Sequence, residues 1–506
     1  MSKMVRETWL NTRAHHIIDR LYQADPEKWR ADNGQSFMAL CREKIKEVAA
    51  ELPVYNDDMV NGRAVRIRAI VQNQLEDEYF RLDYEIPPVG GQPTHFPVCY
   101  RSFMDSADGR PYSGQPIRRS RYMMAPVPGA SAWWDTEWAG NAETPEVMDF
   151  GNFVATVVEE SFRPNSIMEL YGFASKAPLD QDSEETDESL KRPIFYVIDW
   201  KPYVETIDDA APLCSTYQEI LDSAIGDPTA ARFLMLNLLA KVYSRNPLPP
   251  QCTLPVTLCG VTNPKPIIDL VRSLMPRVIH LRLTSEEFST SFASYRDYDR
   301  GIMVQGKLQC ALDNTVLIID ETELPEGSVP IQGDDRTASQ NKASLEQIMN
   351  SQAIDYDFSF YPVNFEVDMP IIVISHDAGR ALKTPWRIPF PGEVGPLAVD
   401  DSTLRMFRKS ISAAKEKLKG IEIMTEEISR GFSNMTHTHV AGGYDKVERF
   451  HHILAVCRLS VAHNGRHTIT PEVWNEALAL EAKCAEKFNE WNNGAADPRL
   501  VFAPTE

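Results

Sequence analysis

The chain reads as a mixed α/β protein of several domains. Three observations predict this: helical periodicity at both ends, short period-two strands over 60–205, and alternating helices and apolar strands over 215–395. Its 506 residues correspond to about three domains at roughly 150 residues each. The pattern divides the chain into an N-terminal helical region (1–55), a β-domain with insertions (60–205), an α/β core with a parallel sheet (210–395) and C-terminal helices (398–490).

Over 7–50, Trp9, Leu10, Ile17, Ile18 and Leu21 form one apolar helical face, and Phe37, Leu40, Cys41, Ile45 and Val48 form another; Leu52-Pro53 ends the pattern. GRAVRIRAIVQNQ then alternates Val65, Ile67 and Ala69 with Arg66, Arg68 and Ile70, and EYFRLDYE follows a polar turn, as in antiparallel strands. With further strands at 153–158, 166–173 and 194–198, this predicts a small β-barrel of the OB type with insertions. One insertion, 180–188 (DQDSEETDE), reads as an acidic mobile loop. Residues 104–150 are rich in Pro, Gly and Trp, and their weak periodicity is compatible with an ordered excursion or with partial disorder.

Asp227-Pro228 supplies an N-cap and a first-turn proline for a helix over 229–244. That helix is apolar on most of its circumference, which predicts burial on more than one side. Strands are predicted at 254–260, 279–283, 315–320 and 370–375. MPIIVIS is too continuously apolar for an exposed strand and fits a parallel sheet covered on both faces. Over 400–490 the pattern is helical: Phe450, Leu454, Cys457 and Val461 share a face, and Thr470-Pro471 opens a last helix carrying Trp474, Ala477 and Leu480. The polar tail after Asn492 is expected to fray.

The motif with chemical content is TVLIIDET at 315–322, a buried strand ending in Asp320-Glu321. It resembles the Walker B strand of AAA-type ATPases, where the Asp holds Mg²⁺ and the Glu polarises the attacking water. Many α/β proteins also end a buried strand in acidic residues for structural reasons alone. The surroundings favour the ATPase-like reading, because Gly260 lies sixty positions upstream and another buried strand ends at Ser375. After Gly260 the chain runs Val261-Thr262-Asn263-Pro264-Lys265-Pro266-Ile267. Against GxxxxGK[ST], the second Gly, the Lys and the hydroxyl slots hold Lys265, Pro266 and Ile267. Pro266 has no N–H to offer a phosphate and Ile267 cannot ligate Mg²⁺, so the loop is degenerate. Ser375-His376-Asp377-Ala378-Gly379-Arg380 resembles the ANPxxGR sensor segment of the MCM replicative helicases, with Ser375 in the Asn slot and Arg380 in place. The sequence therefore predicts a degenerate AAA-type core followed by a helical lid. Asp320 and Glu321 are read as vestigial, with no catalytic residue, cofactor or metal.

The net charge, 52 − 72 = −20, disfavours autonomous binding to a phosphate backbone and suits a basic protein partner. The strongest basic cluster, Arg118-Arg119-Ser120-Arg121, is short. Arg66 and Arg68 are candidates for one barrel face, and Trp133-Trp134 reads as packing rather than a base-stacking platform. The eight cysteines form no CxxC, and the His pairs 15–16 and 451–452 and His437-Thr438-His439 lack metal-ligand spacing. Ser375-His376-Asp377 holds triad residue types, but consecutive residues do not converge as a triad. No apolar run approaches the ~20 residues of a membrane span, and the opening residues show no signal-peptide pattern, so reduced intracellular thiols and no membrane contact are expected.

Several segments together resemble one family, the MCM complex-binding proteins, themselves similar to degenerate MCM helicases. They are APVPGASAWW (125–134), FRPNSIMELYGF (162–173), GDPTAARFLMLNLLAKVYSR (226–245), TVLIIDE (315–321), IDYDFSF (354–360) and Arg458 to Ser460 in a lid helix. The similarity follows the chain in order over nearly its whole length. It implies a nuclear, non-catalytic binding protein of MCM subunits, with the cytoplasm as a second location, tied to assembly or remodelling of MCM complexes, DNA replication and sister-chromatid cohesion. Any DNA contact is expected to be indirect. The competing readings are a divergent AAA-type ATPase and an OB-fold single-strand binder. The resemblance transfers no partner-binding residue, and a long charged insertion expected in animal members is missing, which leaves the import route open.

Overall fold

A computed structural model describes residues 9–56, 62–86, 94–101, 110–111, 114–140, 150–176, 192–204, 215–246, 250–299, 302–308, 314–324, 336–390, 392–424, 426, 428–431, 433 and 446–492. The acidic segment 180–188, His437-Thr438-His439 and the tail beyond Asn492 lie outside them. The chain forms two compact units. The first comprises Met1–Val127, Ala132–Glu205 and Tyr295–Val304, and the second Pro128–Ser131, Thr206–Ser294 and Gln305–Glu506.

In the first unit the N-terminal periodicity resolves into three helices, α1 (Ala14–Gln23), α2 (Pro26–Ala31) and α3 (Gln35–Lys46). Asp25 starts α2 by accepting the N–H of Lys28 at 3.2 Å, with Pro26 in the first turn. The apolar faces bury Trp9, Ile18, Tyr22, Phe37 and Cys41 together with Leu82, Tyr84, Phe173 and Tyr196 of the β-domain.

Five strands close into a barrel: β1 (Ala64–Gln74), β2 (Ile117–Ala125), β3 (Phe153–Val158), β4 (Ile167–Ser175) and β5 (Ile194–Pro202). Their order is β1-β4-β5-β3-β2, and β2 pairs back to β1. Only β3 and β5 run parallel; the other pairs are antiparallel. This closure fits an OB-like fold. Val65, Ile67, Ala69 and Val71 meet Tyr122, Phe153, Leu170 and Phe195 in one buried cluster, so the alternation seen in β1 does mark one face.

Strand β2 corrects the reading of 104–150, which did not resolve a strand there. Arginines interrupt its apolar pattern, yet Arg119 is buried and donates to Glu78 from Nε at 2.9 Å and Nη2 at 2.6 Å. Arg118 lies 3.8 Å from Asp77, and Arg121 lies 3.7 Å from Glu78. The most basic stretch of the chain is thus a strand matched to its own acidic neighbours. A helix, α4 (Ala132–Ala139), follows it.

The second unit is α/β. Helices α5 (Ser215–Ile225) and α6 (Pro228–Leu239) precede five parallel strands: β6 (Val256–Cys259), β7 (Arg277–Arg282), β8 (Thr315–Asp320), β11 (Ile371–Ser375) and β12 (Trp386–Pro389). Between β8 and β11 come α8 (Arg336–Ser351) and the antiparallel pair β9 (Ala353–Asp357) and β10 (Pro362–Glu366). The parallel order is β7-β8-β11-β6-β12, with α7 (Lys265–Leu274) between β6 and β7 in the chain. Helices α9 (Asp401–Lys417), α10 (Lys446–His463) and α11 (Pro471–Trp491) close the unit.

Helix α6 is buried on nearly every side, as its composition predicts, and Asp227 caps it through the N–H groups of Thr229 and Ala230 at 2.7 and 2.9 Å. It ends at Leu239 rather than Ser244. The Asn237 amide donates instead to the carbonyls of Leu254 and Ile371 at 2.7 and 2.9 Å, tying the helix end to the segment before β6 and to β11. Val242 then gives its N–H to Asp368 at 2.8 Å. Thr470 stands at the N-cap of α11 but makes no side-chain cap bond there, unlike Asp227. Strand β12 was not expected from the sequence.

The barrel yields a test. Gly172 sits at a register irregularity in the antiparallel pairing of β4 with β5, and a Cβ there would overlap the carbonyl oxygen of Tyr196. Backbone cannot yield as a side-chain tip can, so Gly172→Ala should cost about 3 kcal/mol or more. A shift in denaturant midpoint near zero would show that the strands separate easily at this point.

Candidate functional site

Open parallel sheets bind ligands beyond the carboxyl ends of their strands. The chemistry-bearing residues of the second unit gather there. Register places Cys259 beside Ser375, and Asp320 beside Ile374. Strand β11 therefore runs between the strand that leads into Gly260 and the strand that ends in Asp320. Gly260 turns at φ +78°, and the next N–H, of Val261, donates to the Ser375 carbonyl at 3.1 Å. Asp320, Glu321, Ser375 and Arg380 are brought together. Lys265, Pro266 and Ile267 form the first turn of α7 instead: Lys265 is exposed, and Ile267 is 1% exposed within the apolar core.

The two carboxylates have different surroundings. Asp320 accepts from the N–H and hydroxyl of Thr322 at 3.0 and 2.7 Å and contacts His280 Nε2 at 3.0 Å. Burial pushes its pKa up, but the His280 and Thr322 bonds outweigh burial and hold it below the ordinary carboxylate value. Glu321 is 1% exposed. Its Oε2 accepts the N–H of Arg380 at 2.8 Å, and its Oε1 accepts those of Ala381 and Leu382, both at 3.0 Å. For Glu321 burial prevails over these bonds and raises the pKa. Both side chains are engaged by the fold itself. Ser375 is buried, and its hydroxyl accepts the N–H of Asp377 at 3.3 Å. Arg380 donates to the Leu324 carbonyl at 2.7 Å and pairs with Asp377.

Helix α11 covers the end of β6. A Cβ on Gly260 would stand 3.0 Å from Trp491 Nε1, and the fully buried Phe488 packs on Cys259. The helix is pinned by the Lys487–Asp227 ion pair at 2.5 Å and by Arg449 donating to both oxygens of Glu481 at 3.0 and 2.8 Å. Sequence reasoning missed His280, Trp491 and Phe488. Trp491 closes a helical periodicity that carries no chemical motif, and His280 shows only as one polar residue inside an apolar strand.

The barrel has a comparable arrangement within the first unit. Arg66 and Arg68 point away from its interior, where α4 lies over them. The Arg68 guanidinium sits 3.2 Å from the Trp134 ring centroid and 2.5 Å from Asp135, and Arg68 is only 1% exposed. Arg66 donates to the carbonyls of Trp138 and Ala139 at 3.3 and 2.6 Å. The reading of Trp134 as packing holds, and its partner is one of the candidate arginines. Among the described residues no group of three or more His, Cys, Asp or Glu is placed to hold a metal ion, and no helix is long and apolar enough to cross a membrane.

Comparison with known proteins complements this geometry. Residues 205–488 match the family described as mini-chromosome maintenance replisome factor. The chain belongs to this family. Similar relatives are the mini-chromosome maintenance complex-binding proteins of Danio rerio, 27% identical over 290 residues (54% of this chain and 44% of that protein), and of Drosophila melanogaster, 26% over 295 (54% and 47%). That of Arabidopsis thaliana is 26% identical over 272 residues (52% and 45%). The chain spans about half the length of these mini-chromosome maintenance relatives. The family match covers the α/β unit and its closing helices, including Gly260, Asp320, Glu321 and Trp491's helix as far as residue 488.

Two expectations follow. Glu321→Ala would leave three clustered N–H groups without their acceptor, at about 1–3 kcal/mol for each group that water cannot reach; unchanged thermal stability would mean the carboxylate is not structural. Asp320 has a lowered pKa in the folded state, so its contribution is present above the unfolded value, near 3.9, and lost as pH falls through the folded one. The stability advantage of wild type over Asp320→Asn should thus hold at neutral pH and shrink below about pH 4. An advantage that grows on acidification would contradict the assignment.

Proposed function

We propose that this chain is a non-catalytic binding protein of MCM helicase subunits. The observation that carries the reading is the family match over 205–488, whose relatives are named for binding the mini-chromosome maintenance complex. In this reading the second unit is a degenerate AAA-type core with a helical lid. Support comes from the gathering of Gly260, Asp320, Glu321 and Ser375 at the carboxyl ends of the three inner strands of a parallel sheet. The phosphate loop is degenerate at Lys265, Pro266 and Ile267, and Asp320 and Glu321 are vestiges given over to holding turns. An MCM-like body with no turnover is suited to occupy the place of a neighbouring subunit and so assist assembly or remodelling of MCM complexes. The roles in DNA replication and sister-chromatid cohesion, and residence in the nucleus and also the cytoplasm, belong to this proposal. DNA contact is indirect in this reading, consistent with the −20 charge and with arginines engaged by α4.

The test is direct titration of the purified chain against each purified MCM subunit, alongside ATP hydrolysis by wild type and Glu321→Gln. Saturable binding to at least one subunit and no turnover above buffer are expected. Robust hydrolysis abolished by the substitution would establish the divergent ATPase instead. Sub-micromolar binding to single-stranded oligonucleotide at about 150 mM salt, tighter than ordinary non-specific binding, would revive the OB-fold reading.

A further inference from the structure

The tip of the β9–β10 hairpin carries the most exposed large apolar side chain among the described residues. Phe360 is 83% exposed and the adjacent Tyr361 57%. The turn beneath them is firmly built. Asp357 accepts the Ser359 N–H at 2.6 Å, Ser359 adopts φ +60°, and the Phe358 N–H donates to the Tyr361 carbonyl at 3.2 Å. The Phe358 and Tyr361 rings stack at 5.9 Å with 4° between their planes, and Tyr356 packs on Phe365 at 4.6 Å farther down. Rigid aromatic rings lose little rotamer freedom on binding, which is why they anchor protein interfaces.

Charge narrows the choice of partner. Residues 353–366 contain Asp355, Asp357 and Glu366 and no Lys or Arg. Glu366 faces Arg245 at 3.3 Å, and Asp355 accepts from the Asn364 amide at 2.7 Å, while the exposed Asp357 ends β9 directly before the aromatic tip. Nucleic acid would set phosphates against those carboxylates. We propose that this tip is an anchor for a protein partner, with Phe360 entering an apolar socket rimmed by Lys or Arg. This rests on the binding function proposed above and assigns part of its contact to one hairpin.

The full-length wild type, Phe360→Ala, Phe360→Leu and Asp357→Asn would be titrated against each purified MCM subunit at low and high salt. Phe360 is 83% exposed, so its substitution should change thermal stability far less than it changes binding. Phe360→Ala should weaken binding about tenfold or more, as expected of an anchor, and Phe360→Leu should keep most of the affinity. Asp357→Asn still accepts the Ser359 N–H, so it should weaken binding at low salt and flatten the salt dependence. Wild-type affinity in Phe360→Ala overturns the anchor and leaves the binding function standing. No wild-type binding to any subunit overturns both. Tight binding of single-stranded oligonucleotide that is lost in Phe360→Ala overturns the assignment to a protein partner.

Discussion

The second unit is organised around one buried carboxylate. Glu321 leaves the end of β8 and accepts three successive N–H groups from Arg380, Ala381 and Leu382. An ionised carboxyl away from water is tolerable only when its lone pairs are filled. The bonds in turn fix the turn between β11 and β12, and so the placement of Arg380 beside Asp377 and of β12 beside β6. Ser375 and Gly260 lie at the same edge, joined by the Val261 N–H. A residue type associated with activating water here holds one strand end against the next.

Each unit also lays one of its own helices over the face most suited to a ligand. On the barrel, Trp134 and Asp135 engage Arg68, and the last carbonyls of α4 engage Arg66. In the α/β unit, Trp491 lies on Gly260 and Phe488 on Cys259. The same economy appears at Arg118, Arg119 and Arg121, which meet Asp77 and Glu78. These five arginines are matched within the chain, and the overall charge is strongly negative.

Much of the architecture was legible because it rests on periodicity. Alternation at Val65, Ile67 and Ala69 marked the barrel interior, the continuous apolar run of 370–375 marked a covered parallel strand, and Asp227-Pro228 marked the start of α6. The site was legible in part: Asp320, Glu321, Ser375 and Arg380 were singled out by spacing, and they do converge. Strand β2 was missed because burial of a charge is decided by its partner, and Glu78 lies some forty positions from Arg119. The end of α6 was misplaced because the Asn237 side chain bonds carbonyls outside the helix, of Leu254 before β6 and of Ile371 in β11.

The sequence by itself determined most of the element types and the order in which they follow one another, since each depends on neighbours a few positions away. Only the tertiary structure decided which faces remain open. Whether Arg68 meets solvent or Trp134, and whether Gly260 is bare or covered by Trp491, turns on residues from about 66 to 231 positions away, and on the free energy of desolvating a ring or a charge where two elements meet. No local pattern carries that information, because the same tryptophan in the same helix would be a surface residue if the opposing strand ended one turn elsewhere.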